Sequence, residues 1–130
     1  MDKKTRDNSA MMKGLYWWGI PTLFRCPHKP ETEGCDIALV GVPHSTGNGT
    51  TQRDQHLGPR AVRNISAQGR RGHLKFGISP WEMCDIRDFG DVPLPEANNN
   101  EQCIERITEF YDVIAESGVR PVSIGGDHSI

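Results

Sequence analysis

The run Asp36-Ile37-Ala38-Leu39-Val40-Gly41-Val42 decides how this chain folds. It is short and continuously apolar after its first residue, bounded by Gly34 and Pro43, with none of the polar alternation of a strand that has one wet face. It reads as a strand buried on both sides.

Downstream, His44 to His56 is a long polar loop. It ends in Gly58-Pro59, where Pro59 suits the first position of a helix with Ala61, Val62 and Ile65 as its expected buried face. Gly69 to Pro80 is basic and glycine-punctuated, hence loop. Met83 to Val92 follows with partial alternation, a second strand nearer an edge, closed by Pro93 and Pro95. Asn98 to Asn100 offer helix caps. Cys103, Ile104, Ile107, Phe110, Tyr111 and Ile114 then fall at helical spacing, with Glu105, Arg106, Glu109 and Glu116 on the solvated side and Gly118 as the stop. Arg120 to Gly126 is another apolar strand, running into Asp127-His128-Ser129. Strand, helix, strand, helix, strand at this spacing predicts a parallel sheet with helices on both faces, whose ligands gather beyond the C-terminal strand ends. Both informative loops, 43–58 and 125–130, lie at such ends. A last strand without neighbours or a covering helix reads as a domain that is incomplete at its C-terminus.

Upstream, residues 1–13 are polar and contain three methionines, and read as a disordered lead outside the fold. Residues 14–34 are apolar but broken by Gly19, Pro21 and Pro27, so they form an irregular arm that packs on its own domain or on a neighbouring subunit. Residues 35–130 form the α/β domain, with no repeat or linker inside it.

Composition narrows the function. A chain of 130 residues, 35% hydrophobic, suits one domain with a modest core. A formal charge of -2, from 15 basic and 17 acidic residues, leaves no electrostatic footprint for nucleic acid or an anionic membrane. No apolar run approaches the roughly 18 residues of a membrane helix, and Met1 to Ala10 is polar, so the protein reads as soluble and cytoplasmic. Cys26, Cys35, Cys84 and Cys103 sit in no paired motif and read as reduced thiols.

The strongest chemical signal is Gly125-Gly126-Asp127-His128-Ser129. Two glycines after a strand allow a sharp turn and a close approach to a bound group. His128 then projects from the strand end as a metal ligand or base, and Asp127 can hold an outer position beside the imidazole. The plain alternative is a turn with an exposed histidine. In the first loop, Ser45, Thr46, Asn48, Thr50 and Gln52 are candidates to hydrogen-bond a polar substrate tail, with a solvated loop as the default for each. Arg53 and Arg63 read as structural or salt-bridging, and His56 as capping or packing at the helix start. Cys26, His28 and Cys35 invite a zinc reading but match no paired signature and number only three unless Cys84 joins them. Gly47-Asn48-Gly49 lacks both nucleotide-binding patterns.

Ile124-Gly125-Gly126-Asp127-His128-Ser129 resembles the first metal-binding signature of the ureohydrolase family, the arginases, agmatinases and guanidino-acid hydrolases. Val40-Gly41-Val42-Pro43, Thr50 to Arg53, Gly58-Pro59-Arg60-Ala61-Val62-Arg63 and Asp88-Phe89-Gly90-Asp91-Val92 agree, in the family's order, over Cys35 to Ile130. The resemblance implies a three-layer α/β/α fold with a mostly parallel sheet. It implies two Mn2+ per subunit in the complete enzyme, with another divalent metal such as Ni2+ as an option. The ions share a hydroxide that attacks a guanidinium carbon and releases urea. His128 matches the family's first metal ligand. The remaining ligands come from an Asp-Ala-His-x-Asp and an Asp-x-Asp motif, neither present in these residues, so this fragment alone is expected to be inactive. Catalytic and substrate-binding residues are left unassigned. The tryptophan-rich arm and the Gly-Pro-Arg-Ala-Val-Arg segment resemble agmatinases and guanidino-acid hydrolases more than arginases, so the expected substrate is agmatine or a guanidino acid. The expected assembly is a homo-oligomer, trimer or hexamer. The competing expectation is a non-catalytic, truncated domain that acts by associating with full-length subunits.

Overall fold

The computed structural model describes residues 18–46, 54–69 and 71–130. The expected lead, most of the first loop's candidates (Asn48, Thr50, Gln52, Arg53) and the Gly47–Gly49 segment lie outside the described residues. Three parallel strands form one sheet: β1, Ile37–Val42, at the centre, β2, Ile86–Asp91, on one side and β3, Arg120–Gly125, on the other. The helices are α1, Gly58–Ser66, the single turn α2, Pro80–Met83, and α3, Asn100–Ser117.

β1 is central because both of its faces are apolar. Ala38, Val40 and Val42 pack with Phe89, Val92, Ile114 and Val119 under α3, while Leu39 packs with Leu23, Cys26 and Ile86 on the opposite face, where Val62 of α1 joins them. Helices therefore cover both sides of a parallel sheet in three layers. α3 starts where the Asn99 side chain accepts the Gln102 amide at 3.1 Å, a cap that contributes about 1 kcal/mol, and it stops at Gly118, whose φ of 79° lies in the left-handed region. Ile104, expected inside, is exposed, and Ile107, Phe110 and Tyr111 make the contact.

Two expectations are corrected. The buried residues of α1 are Pro59 and Ser66, whereas Ala61 is exposed and Ile65 is 67% exposed. The helix turns a polar edge inward because polar partners wait there: Ser66 Oγ accepts the Phe24 amide at 2.9 Å, and Arg63 reaches carboxylates on β2. β2 is an edge strand of the three, yet Ile86 to Phe89 are all buried instead of alternating. The arm closes its outer edge, with the Asp88 amide donating to the Pro27 carbonyl at 2.9 Å and the Lys29 amide to the Asp88 carbonyl at 3.2 Å. The described part of the arm thus lies on its own domain. β3, an outer strand of the sheet, is exposed from Arg120 to Ser123. What holds it beyond the ladder is Ile124 against the α1-side cluster and Tyr111, whose hydroxyl lies 2.5 Å from Ser123 Oγ.

The register of β1 on β2 slips between Leu39↔Asp88 and Gly41↔Asp91, so β2 carries one extra residue. Gly90, at φ 78°, takes the conformation that this bulge requires. The bulge brings the Asp91 carboxylate against Gly41, where a Cβ would collide with it.

Candidate functional site at the C-terminal edge of the sheet

Three turns meet beyond the C-terminal strand ends, and glycine makes the meeting possible. After β1 the chain reverses at Pro43, with the His44 amide donating to the Val42 carbonyl at 2.8 Å. The turn after β3 packs on this reversal. The Asp127 amide donates to the His44 carbonyl at 2.8 Å, and a Cβ on Gly126 would collide with the Val42 carbonyl oxygen. From the other side, a Cβ on Gly58 at the start of α1 would collide with the Gly125 carbonyl oxygen. The two glycines of the signature turn were legible as a close-approach device. The role of Gly58 was not, because its neighbour in space is 67 positions away.

In this turn Asp127 is buried and His128 is exposed. The Asp127 Oδ1 atom accepts the Ser129 amide at 2.9 Å, so the carboxylate folds back to hold its own loop while the imidazole stays accessible. Among the described residues no three His, Cys, Asp or Glu side chains come together to hold a metal ion. An accessible imidazole on a pinned turn fits one position in a metal's coordination sphere, and the described residues supply that one donor.

His44 was not singled out beyond its place in the loop, yet its side chain is almost completely buried. Its Nε2 lies 2.9 Å from Asn100 Oδ1 and its Nδ1 lies 3.3 Å from Thr46 Oγ1. With the amide oxygen as acceptor, Nε2 carries the proton and Nδ1 accepts from the threonine hydroxyl. A histidine directly after a strand-ending proline, with an asparagine run at a later helix start, was the available signal. His56 does not cap α1. It lies just before the helix in a 3-10 turn, Gln55–Leu57, and its Nδ1 lies 3.4 Å from Ser45 Oγ.

His44, Ser45, His56, Leu57, Arg60 and Asp91 are among the residues that line a cleft of about 400 Å³ at this edge. Behind it stands a charge cluster. Arg63 bonds Asp88 through both carboxylate oxygens at 3.1 Å and Asp91 Oδ1 at 2.6 Å. Burial pushes the Asp88 carboxyl up, but Arg63 and the amides of Leu23 and Gly90 outweigh it and hold the group below its ordinary value. Burial likewise lowers Arg63, and its two carboxylates outweigh that, leaving it above the usual range. Arg63 is thus a structural ion-pairing residue, as its sequence context indicated.

The zinc reading is not supported. Cys26 is buried and takes the Trp81 indole N–H at 2.8 Å, His28 bridges to Asp88 on the outer edge of β2, and the Cys35 thiol donates to the Ile37 carbonyl at 3.3 Å. No common donor set forms among them.

A model of the arginase family matches residues 35–130. The chain is 37% identical over 112 residues to a mitochondrial agmatinase of Gallus gallus, covering 86% of this chain and 32% of that protein. It is 34% identical over 112 residues to a guanidinopropionase of Pseudomonas aeruginosa, covering 86% and 35%. The crystal structure of a hypothetical agmatinase from Burkholderia thailandensis superimposes with a TM-score of 0.76 at 29% identity, covering 86% of this chain and 35% of that one. The chain spans about a third of the length of the curated relatives it matches.

Proposed function

This chain belongs to the arginase family, and on that premise we propose that it forms part of a metal-dependent hydrolase that cleaves a linear guanidino compound and releases urea. The observation that carries the reading is the turn after β3. Its backbone is pinned by His44 on one side and Gly58 on the other, Asp127 is buried within it, and His128 is left accessible at the sheet edge where ligands of parallel α/β folds gather. The names of the two relatives, agmatinase and guanidinopropionase, share a linear guanidino compound as substrate class.

We assign His128 as the first metal ligand. Manganese is the expected ion, two per subunit in the complete enzyme, because a set of one imidazole with carboxylates offers the mostly hard oxygen donors that manganese prefers; nickel is the alternative. A divalent ion bound there would lower the pKa of water, so that a nucleophile toward the guanidinium carbon exists near neutral pH. The described residues provide one ligand of the set, and their own contribution is positional. Asp127 and the flanking glycines fix the path of the turn, and with it the direction from which the imidazole approaches the ion. Assembly as a trimer or hexamer belongs to the same reading, as does a cytoplasmic location, which fractionation would separate from the mitochondrial one that the avian relative's name carries.

The test is manganese-dependent urea release by the protein encoded in the complete reading frame, with agmatine, guanidinobutyrate, guanidinopropionate, guanidine and arginine side by side. His128→Ala should lower turnover on the preferred substrate by more than about a hundredfold. Undiminished urea release from that variant would sink the assignment of His128, and silence with manganese, nickel and cobalt alike would sink the enzyme reading. Residues 1–130 by themselves should release no urea.

A further inference from the structure

The cleft at the C-terminal edge of the sheet, whose lining residue His44 also holds the His128 turn, includes a cation. Arg60, in the first turn of α1, lines it and forms no ion pair among the described residues. The carboxylate on the same wall, Asp91, already accepts Arg63 at 2.6 Å, so its charge is offset from behind while that of Arg60 is not. Three of the other polar lining residues are hydrogen-bonded: His44 with Asn100 and Thr46, and Ser45 with His56. Pro43, Leu57 and Leu94 are apolar members of the lining. At about 400 Å³ the cleft falls within the roughly 300–1,000 Å³ of small-molecule sites. A cleft of mixed polar and apolar lining that includes a guanidinium without an ion-pair partner among the described residues suits a short methylene chain that ends in an anion. The planar fork of arginine matches the two oxygens of a carboxylate, and the N-terminal end of α1 adds partial positive charge of the same sense. A chain ending in an ammonium would meet like charge there.

We infer that Arg60 is a specificity-determining residue, receiving the far carboxylate of a guanidino acid and so favouring guanidino acids over agmatine, whose far end is an ammonium. This inference rests on the proposed function, because the cleft matters only if the guanidinium end of the same molecule reacts at the neighbouring turn. The two places are joined through backbone: His44, one of the cleft's lining residues, accepts the Asp127 amide through its carbonyl at 2.8 Å.

The test measures kcat and KM for 4-guanidinobutyrate and agmatine on the manganese-loaded enzyme from the complete reading frame, as wild type, Arg60→Gln, Arg60→Lys and His128→Ala. The expected wild type prefers the acid. In Arg60→Gln the acid-to-amine ratio of kcat/KM falls about ten- to a hundredfold, carried by KM for the acid, as for loss of one charged hydrogen-bonding partner. Arg60→Lys recovers part of it. Because Arg60 is exposed, the substitutions leave the core intact, and matching thermal melts would verify this. An unchanged ratio in Arg60→Gln, or equal losses on both substrates, overturns the inference while a dead His128→Ala leaves the proposed function standing. Full activity in His128→Ala, or no urea from any substrate, removes the proposed function and this inference with it.

Discussion

Arg63 grips Asp88 through both carboxylate oxygens, Nε to Oδ2 and Nη2 to Oδ1 each at 3.1 Å, where the aspartate side chain is only 2% exposed. The same carboxylate accepts the Leu23 amide and the Gly90 amide, each at 2.8 Å. One buried charge thereby ties the N-terminal arm, α1 and the bulge of β2 into a single unit. Since Arg63 also fixes Asp91 on the cleft wall, the cluster couples the stability of the fold to the shape of the site.

Arg63→Ala should therefore be among the most damaging single substitutions outside the apolar core. It leaves Asp88 buried without its cation, and breaking such a pair from one side destabilises by about 3 to 5 kcal/mol. Urea denaturation of the intact protein, followed by circular dichroism, measures the loss. A change below about 1 kcal/mol would show that the amides of Leu23 and Gly90 suffice.

Acid should expose the same cluster. Asp88 has a folded-state pKa below its ordinary value of 3.8, so its contribution to stability is complete above that value and is lost as pH falls through the lower folded value. Denaturation midpoints are expected to drop as pH falls below about 4, and Asp88→Asn should flatten that drop while lowering stability at pH 7. An equal acid response in the variant would place the sensitivity in another carboxylate.

Gly58→Ala asks whether the meeting of α1 with the signature turn matters. The added Cβ runs into the Gly125 carbonyl oxygen, which is backbone and cannot swing away, so either α1 or the turn must shift. A loss of about 1 to 3 kcal/mol is expected, together with a fall in urea release, because the turn that carries His128 is displaced. Wild-type activity and melting in this variant would mean that the contact relaxes freely.

Cys26 should resist alkylation. Burial pushes its thiol up to about 11 against the opposing hydrogen bond from Trp81, so the reactive thiolate is scarce at pH 8 and the sulfur is covered. Brief treatment with iodoacetamide and peptide mass mapping should find the half-buried Cys84 modified well before Cys26, with Cys26 reacting only on unfolding. Equal labelling of the two in the folded protein would contradict the packing of the arm.

Much of the architecture was legible because it is written locally. The uninterrupted apolar run of β1 announced a strand with two dry faces, and Asn99 and Gly118 bracketed α3 by side-chain capping and positive φ, both properties of residues a few positions apart. The expected order of elements follows from the same local signals. The expectation failed for α1, where hydrophobic periodicity placed Ala61 and Ile65 inside, because the inward face was chosen by Asp88, Asp91 and the Phe24 amide rather than by its own apolar residues.

The sequence by itself determined the parallel α/β class, the family likeness and the turn that presents His128, since each is encoded in short contiguous stretches. Only the tertiary structure decided that Gly58 backs onto Gly125, that His44 is buried against Asn100, that Asp88 is shared by three elements and that Arg60 lines a cleft without an ion pair among the described residues. These relationships join residues far apart in the chain. Whether a charge is paired or a glycine is crowded depends on what the folded chain brings beside it, which no local pattern carries.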